Sequence, residues 1–203
     1  MFNFNSLDLQ EETFCGSKIY TMDNVFINVE KTVKFLDVHP PKLHKANETP
    51  SFNNIHFVDR RHQLRDNILS NLQQELSTIC QQEIASKFTY TNYMKFLSKN
   101  FNNYRENFWG PHRDSGYTCI IYLDTFEGPG TNLYEAVGFD QQNCAEHVAP
   151  WRSRNKYKVI KTFVAKQNRL IMFNGKKFLH GMAIENNYFF TEERKNLAMF
   201  FRG

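Results

Sequence analysis

Three side chains of this sequence have the types and the spacing of a metal site. One residue separates His112 from Asp114, and His180 follows later in the chain. Residues i and i+2 of a strand project to the same face, so His112 and Asp114 can reach one ion while Arg113 points away. Two imidazoles and one carboxylate leave one side of a metal open. This donor set suits Fe(II), which must still bind an oxidant and a co-substrate.

The segments around these three residues have the patterns of β-strands. Residues 117–124 form an almost wholly apolar run rich in β-branched side chains, which predicts a buried central strand. Residues 158–165, 169–173 and 196–201 predict three more strands, and His180 ends the apolar run that begins in the second of these. Many short strands separated by Gly, Pro and Asn turns favour a barrel or a sandwich over a parallel βαβ sheet.

One long helix is predicted upstream of these strands. Between residues 59 and 87 apolar side chains recur every three to five positions, which is typical of an amphipathic helix packed on a sheet. The chain of 203 residues suits a single domain over residues 1–203. Within it, residues 1–88 are expected to supply supporting strands, a loop and this helix, and residues 89–203 the catalytic core.

The composition favours a cytoplasmic protein. The four cysteines have neither CxxC nor disulfide-framework spacing, so reduced thiols are expected. The amino terminus lacks the basic and apolar regions of a signal peptide. No apolar stretch approaches the roughly 20 residues of a membrane span. The net charge of +4 is mild: it permits an anionic substrate but does not amount to a nucleic-acid footprint, so nucleic acid is not the expected partner.

The motifs, taken together and in order, resemble the core of the Fe(II)/2-oxoglutarate-dependent dioxygenases, most closely the prolyl-4-hydroxylase-like branch. The likeness covers roughly residues 90–203. It rests on five segments, namely 112–114, 117–124, 127–134, the run from 168 that leads to His180, and 193–201. It implies a mainly β fold with a supporting helix (α+β), arranged as a double-stranded β-helix, which is a cupin-like jelly roll. The strand pattern predicts the same class independently.

The resemblance implies that His112, Asp114 and His180 bind Fe(II), and that 2-oxoglutarate and O2 are co-substrates. The distal carboxylate of 2-oxoglutarate then needs a buried cation on the last strand, and Arg194 is the candidate. A guanidinium can grip a carboxylate with two hydrogen bonds and stays charged when buried. Arg194 follows His180 at a longer spacing than in most of the branch. Lys195 and Arg202 therefore remain alternatives.

Further contacts are implied for the strands beside the metal. Tyr122 is expected to donate its hydroxyl to the same carboxylate, and Thr131 to border the pocket. Four weaker candidates complete the set, namely Asn132 and Tyr134 on the same strand as Thr131, and Tyr104 and Trp109 ahead of the metal motif. For Tyr122, Tyr104 and Trp109, ordinary core packing is the alternative interpretation.

The implied reaction is hydroxylation of a C–H bond in an amino-acid or peptide/protein substrate, with release of succinate and CO2. Three alternatives use the same residues differently. An oxidative demethylase of nucleic acid or protein would share the chemistry, a cupin-like metal-binding module would not need 2-oxoglutarate, and a non-catalytic relative would act as an interaction protein. No loop carries a signature that identifies the prime substrate, and the oligomeric state is equally open.

Overall fold

Most of the chain that can be described is antiparallel strand. The computed structural model describes residues 3–38, 42–43, 57–63, 70–80, 83–96, 104–138 and 151–202. These residues contain thirteen strands and two α-helices. In chain order they are β1 (Gln10–Phe14), β2 (Ser17–Met22), α1 (Val29–Val38), β3 (Lys42–Leu43), β4 (Phe57–Gln63), α2 (Ser70–Cys80), β5 (Glu83–Phe96), β6 (Asn107–Trp109), β7 (Gly116–Tyr122), β8 (Gly128–Ala136), β9 (Trp151–Ser153), β10 (Tyr157–Ala165), β11 (Leu170–Asn174), β12 (Leu179–Met182) and β13 (Arg194–Arg202).

Eight strands form one large sheet in the order β1-β2-β11-β7-β13-β5-β4-β3. The apolar run predicted as a central strand is β7, which lies between β11 and β13. The strands predicted at 158–165, 169–173 and 196–201 are β10, β11 and β13. Because nearly every residue of β7 is buried, the absence of a polar face in its sequence has a direct structural cause.

The two faces of the large sheet carry alternate residues of each strand. On β7, Cys119 and Ile121 belong to the core on one face, where α2 contributes Leu72 and Leu76. Helix α1 packs on the same face. The other face of β7 carries Tyr122, which belongs to a second core. The helices therefore cover one face only, and the other is left for a second sheet.

That second sheet has the order β10-β8-β12. Phe163, Leu133 and Met182, one from each of its strands, pack with Ile171 and Phe173 of β11 in a single apolar core. Two antiparallel sheets that face each other across a core make a jelly roll. The predicted fold class, mainly β and cupin-like with helical support, is confirmed.

The long helix predicted at 59–87 is wrong in its extent. Residues 59–63 belong to β4 and residues 83–87 to β5, and α2 is the only helical part of the segment among its described residues. Ile84, which fits the helical spacing, pairs instead with Phe201 of β13. The segment 83–96 is rich in aromatic and β-branched residues, and its pairing with two neighbouring strands decides its structure over a weak local periodicity. Neither α-helix in the described ranges is long and apolar enough to span a bilayer.

The amino-terminal hairpin of β1 and β2 supports the turn that precedes β12. Strand β2 pairs with β11, and the Phe14 ring at the hairpin tip lies 5.9 Å from the Phe178 ring. The Lys177 ammonium donates a hydrogen bond of 2.5 Å to the Cys15 carbonyl oxygen. The tip of this hairpin, at one edge of the large sheet, therefore holds the turn at 175–178, directly ahead of His180.

Candidate metal centre

The backbone brings the two candidate histidines side by side. The His112 N–H donates to the His180 carbonyl at 2.9 Å, and the His180 N–H donates to the His112 carbonyl at 2.8 Å. His180 lies in β12, whereas His112 forms only this isolated antiparallel bridge. The imidazole centroids are 4.4 Å apart. Two candidate ligands that are distant in sequence are thus joined by a backbone bridge beside the small sheet.

Both imidazoles are oriented by a carbonyl two residues earlier in the chain. Nδ1 of His112 lies 2.6 Å from the Gly110 oxygen, and Nδ1 of His180 lies 3.1 Å from the Phe178 oxygen. A carbonyl can only accept, so each Nδ1 carries a hydrogen, and each imidazole in its neutral form presents the lone pair of Nε2. This is the tautomer that a metal-ligating histidine with a backbone partner adopts.

Asp114 completes the group, although not as a strand residue. The prediction that residues 112–114 form a strand is wrong beyond His112, because Asp114 lies in irregular backbone whose N–H donates to the Gly175 oxygen at 3.1 Å. Its Oδ2 lies 3.1 Å from Nε2 of His180, and its Oδ1 lies 3.9 Å from Nε2 of His112. The predicted three residues are therefore brought together by the turn at Gly175.

The charge of Asp114 is maintained inside the protein. Burial raises the pKa of this carboxyl, but the hydrogen bond from His180, the charges of His180 and His112, and the Thr118 hydroxyl lower the pKa to about 2. Asp114 is therefore a carboxylate at neutral pH. An unprotonated Nε2 and a carboxylate oxygen at 3.1 Å both present lone pairs, so a cation between them, either a proton or a metal ion, removes their repulsion.

The donor set fits a divalent metal. One ligand atom from each of the three residues lies within 4.8 Å of the others, and no other such group occurs in the part of the chain that the structure describes. In octahedral coordination with bonds of about 2.1 Å, neighbouring ligands lie roughly 3 Å apart. Two imidazoles and a carboxylate with open positions opposite them are the donor set of non-haem Fe(II).

The candidate centre is dry on one side and open on the other. Side-chain exposure is 4% for His180 but 18% for Asp114 and 23% for His112. The Phe173 ring meets His180 edge-on at 4.8 Å and stacks on Phe163 at 5.7 Å. The side of His112 and Asp114 is therefore the more accessible side of the candidate ion position, and the side of His180 is apolar.

Two glycines that sequence reasoning missed allow these segments to meet. A Cβ atom at Gly181 would overlap the Trp109 carbonyl oxygen and lie 3.1 Å from the Gly110 oxygen. A Cβ atom at Gly175 would overlap the Thr118 hydroxyl and lie 2.9 Å from Cβ of Asp114. The local sequence does not show that these two positions must be glycine, because that need arises from contacts with segments that are distant in sequence.

Gly181→Ala is expected to weaken Mn(II) binding by about 10-fold or more, because the segment that carries His112 must move away from β12. The added methyl meets backbone, and overpacking of this kind destabilises a fold by about 1–3 kcal/mol. Calorimetric titration and a melting curve measure the two effects. Gly138→Ala is the control, since its new methyl enters open space at a φ of +90°. It should lose stability but keep its Mn(II) affinity, and equal affinity in both variants would contradict the role given to Gly181.

The predicted co-substrate residues lie together between the two sheets. The Tyr122 hydroxyl donates to Oγ1 of Thr131 at 2.8 Å. The Arg194 guanidinium carbon lies 5.8 Å from the Tyr122 ring centroid, and all three residues are buried. Burial raises the pKa of Tyr122 to about 12, although the Arg194 charge opposes the shift, so this hydroxyl stays protonated. A buried cation and a neutral hydroxyl donor are thus close to each other.

Lys195 is excluded as the buried cation by the strand alternation of β13. Its ammonium makes an ion pair of 2.9 Å with Asp37 of α1, on the helix-covered face of the large sheet. Arg194, one residue earlier, lies on the opposite face and is only 3% exposed. Arg202 is at the far end of β13, paired with Gly116.

The loop at 185–193 encloses Arg194 with aromatic rings. Its 3-10 turn (Tyr188–Phe190) places the Phe189 ring 5.8 Å from the guanidinium carbon. Phe126 lies 4.7 Å from Tyr188 and 4.9 Å from Phe189, ring centroid to ring centroid. The long loop between His180 and Arg194 therefore keeps water away from the guanidinium.

Asp124 is a third residue that sequence reasoning missed. Burial raises the pKa of this carboxyl, and the Arg194 charge opposes the shift. Its two oxygens accept hydrogen bonds of 3.0 Å from the backbone N–H groups of Phe126 and Lys195. The available signal in the sequence was a charged residue at the end of an apolar run. Asp124 fixes the start of β13, where Arg194 lies.

The weaker candidates are placed elsewhere. Asn132 and Tyr134 lie on the other face of β8 from Thr131, where Tyr134 packs on Phe108 at 4.8 Å. Because alternate strand residues face opposite ways, these two weaker candidates do not share the face of β8 that carries Thr131. Trp109 is buried against Trp151, with ring centroids 5.0 Å apart, and packs as a core residue. The Tyr104 carbonyl accepts hydrogen bonds from Arg154.

No protein-family model matches the chain, and no curated protein matches it. Among solved structures it is similar to the crystal structure of a Pseudomonas putida prolyl-4-hydroxylase, with 10% sequence identity, a TM-score of 0.46 and 91% of each chain covered. The strands and side chains of the present chain define a jelly-roll protein with a candidate centre of two histidines and one carboxylate.

Proposed function

We propose that this protein is an Fe(II)- and 2-oxoglutarate-dependent dioxygenase. One observation carries the proposal. Ligand atoms of His112, Asp114 and His180 lie within 4.8 Å of one another, and the buried Arg194 guanidinium lies beside Tyr122 and Phe189 of the core between the sheets. A cupin-like metal module would need the first feature but not the second. Burying an arginine costs free energy unless an anion or other partners compensate its charge.

The metal position and Arg194 are linked by β8. Thr131, which accepts the Tyr122 hydrogen bond, shares a face of β8 with Leu133. Leu133 pairs with His180 in the neighbouring strand. A dicarboxylate between the metal and Arg194 would therefore lie along one face of the small sheet, within the core that both sheets share.

Each residue has a defined part in the proposed reaction. His112, Asp114 and His180 hold Fe(II), while Arg194 and Tyr122 bind and orient the distal carboxylate of 2-oxoglutarate. When bound, Fe(II) supplies the redox chemistry by which O2 gives one oxygen atom to succinate, formed with CO2, and the other to a C–H bond of the substrate. The rings of Phe173, Phe163 and Phe189 exclude water.

The proposed prime substrate is an amino-acid side chain, free or within a peptide or protein, as the branch that the sequence resembles implies.

We also propose one domain over residues 1–203, because β5 crosses residues 88 and 89 and β2 pairs with β11. Free thiols at Cys15, Cys80 and Cys119 favour a reducing, cytoplasmic location.

The test is the thermal stability of the whole chain with Mn(II), with and without 2-oxoglutarate. A ligand at about 100 times its dissociation constant adds about 2.7 kcal/mol, or roughly 2–4 °C for a domain of this size. We expect 2-oxoglutarate to stabilise the metal-loaded protein only, and succinate to form when Fe(II) and O2 are supplied. Stabilisation by the metal alone would support a cupin-like metal protein and overturn the oxygenase proposal.

A further inference from the structure

Thr118 is a buried hydroxyl that the proposed reaction does not use. It lies on the central strand β7, 2% exposed, and faces the small sheet as Tyr122 does. Its Oγ1 donates a hydrogen bond to Oδ2 of Asp114. The side chain therefore contacts the carboxylate of the candidate metal ligand, although no metal-ligand spacing in the sequence points to it.

The surroundings fix this hydroxyl in place. Asp114 is held by its own N–H on the Gly175 oxygen, and the lack of a side chain at Gly175 leaves the space that Oγ1 occupies. Threonine in a strand has a stiff first torsion angle, so few alternative positions are open to the hydroxyl. Three separate elements thus meet at one carboxylate, namely β7, the 112–114 segment and the 175 turn.

The hydrogen bond matters most when a metal is bound. Oδ2 of Asp114 also lies 3.1 Å from Nε2 of His180. A metal that takes the Nε2 lone pair removes any hydrogen bond between these two side chains. The Thr118 hydroxyl then remains as the described side-chain donor to the carboxylate, and it determines the rotation of the carboxylate plane.

We propose that Thr118 is a positioning residue, which orients Asp114 toward the metal without binding the metal itself. This inference rests on the proposed function, since it takes His112, Asp114 and His180 as metal ligands. Groups that hydrogen-bond to metal ligands change metal affinity by about 10–100-fold when they are removed. The effect expected here is therefore on metal affinity, with a small effect on the metal-free fold.

The experiment compares Mn(II) affinity by calorimetric titration in the whole chain and in three variants. Thr118→Val keeps the shape but removes the hydroxyl, and it should weaken binding by about 10–100-fold. Thr118→Ser keeps the hydroxyl and should restore most of the affinity. Thr21→Val is the matched control, because it makes the same change on β2 of the same sheet, away from the ligands. It should bind as the unchanged chain does.

Two further readouts separate the outcomes. Melting curves in chelator show whether each variant is folded without metal, and Thr118→Ala replaces the valine variant if that protein does not fold. The visible spectrum of bound Co(II) should change in the valine or alanine variant but not in the serine variant. If the unchanged chain binds no metal, the proposed function fails and the inference fails with it. If the unchanged chain binds and Thr118→Val binds equally well, only the role of Thr118 is overturned.

Discussion

Replacing His180 by alanine is expected to abolish metal-dependent stabilisation of this protein. His180 is the most buried of the three ligands, and its Nε2 lies 3.1 Å from Asp114. Loss of a hydrogen-bonding neighbour of a metal ligand costs about 10–100-fold in affinity, and loss of the ligand itself should cost more. The melting temperature of the variant should then not change with Mn(II), and no succinate should form with Fe(II), 2-oxoglutarate and O2.

His62→Ala is the control for this variant. His62 lies in β4, beyond β13 and β5 in the large sheet, so its loss should leave the Mn(II) response intact. Melting in chelator reports the cost of truncating a buried ring, which is separate from the metal effect. A His180→Ala protein that Mn(II) still stabilises by the full amount would remove this residue from the metal site.

Arg194→Met should abolish the 2-oxoglutarate response and leave the Mn(II) response unchanged. The methionine fills the space between Tyr122 and Phe189 but presents no charge or donor to a carboxylate. Removing one partner of a buried charge pair costs about 2–5 kcal/mol, which corresponds to roughly 30- to 5000-fold in affinity. Titration of 2-oxoglutarate into the Mn(II)-loaded protein measures this loss. Asp124 should also bind a proton more readily, because the Arg194 charge opposes the rise of its pKa.

The neighbouring residue supplies the control. Lys195→Met makes the same kind of change one position along β13, but its ion pair with Asp37 lies on the opposite face of the sheet. A partly exposed pair of this kind contributes about 0–1 kcal/mol to stability, and the variant should bind 2-oxoglutarate normally. Equal 2-oxoglutarate affinities for the two variants would show that Arg194 is a structural arginine.

The three residues of the candidate metal group could be selected from the sequence because two short segments carry their signals. His112 and Asp114 are two residues apart, and His180 follows an apolar run. The all-apolar pattern of β7 likewise reveals a strand that is buried on both faces. The alternation of β13 separates Arg194 from Lys195 once the buried face is known.

Other features depend on contacts between distant segments and leave no local trace. Ile84 fits a helical spacing, yet its pairing with Phe201 places it in a strand. Gly181 matters because of the Trp109 carbonyl, and Thr118 because of Asp114. A glycine or a threonine in a strand has many uses, and only the three-dimensional approach of its neighbour determines which one applies.

The backbone bridge between His112 and His180 means that the proposed metal ion would bind after the chain has folded. In a zinc finger the ion itself closes the loop between its ligands, so the metal-free chain is unfolded. Here two hydrogen bonds of 2.8 and 2.9 Å already close the long loop between the histidines. The entropic cost of closing this loop is therefore part of folding and not of metal binding. Loading and loss of the ion thus become events of the folded molecule. A chelator should remove the metal and leave the jelly roll folded. The metal-free protein should then bind metal again without refolding.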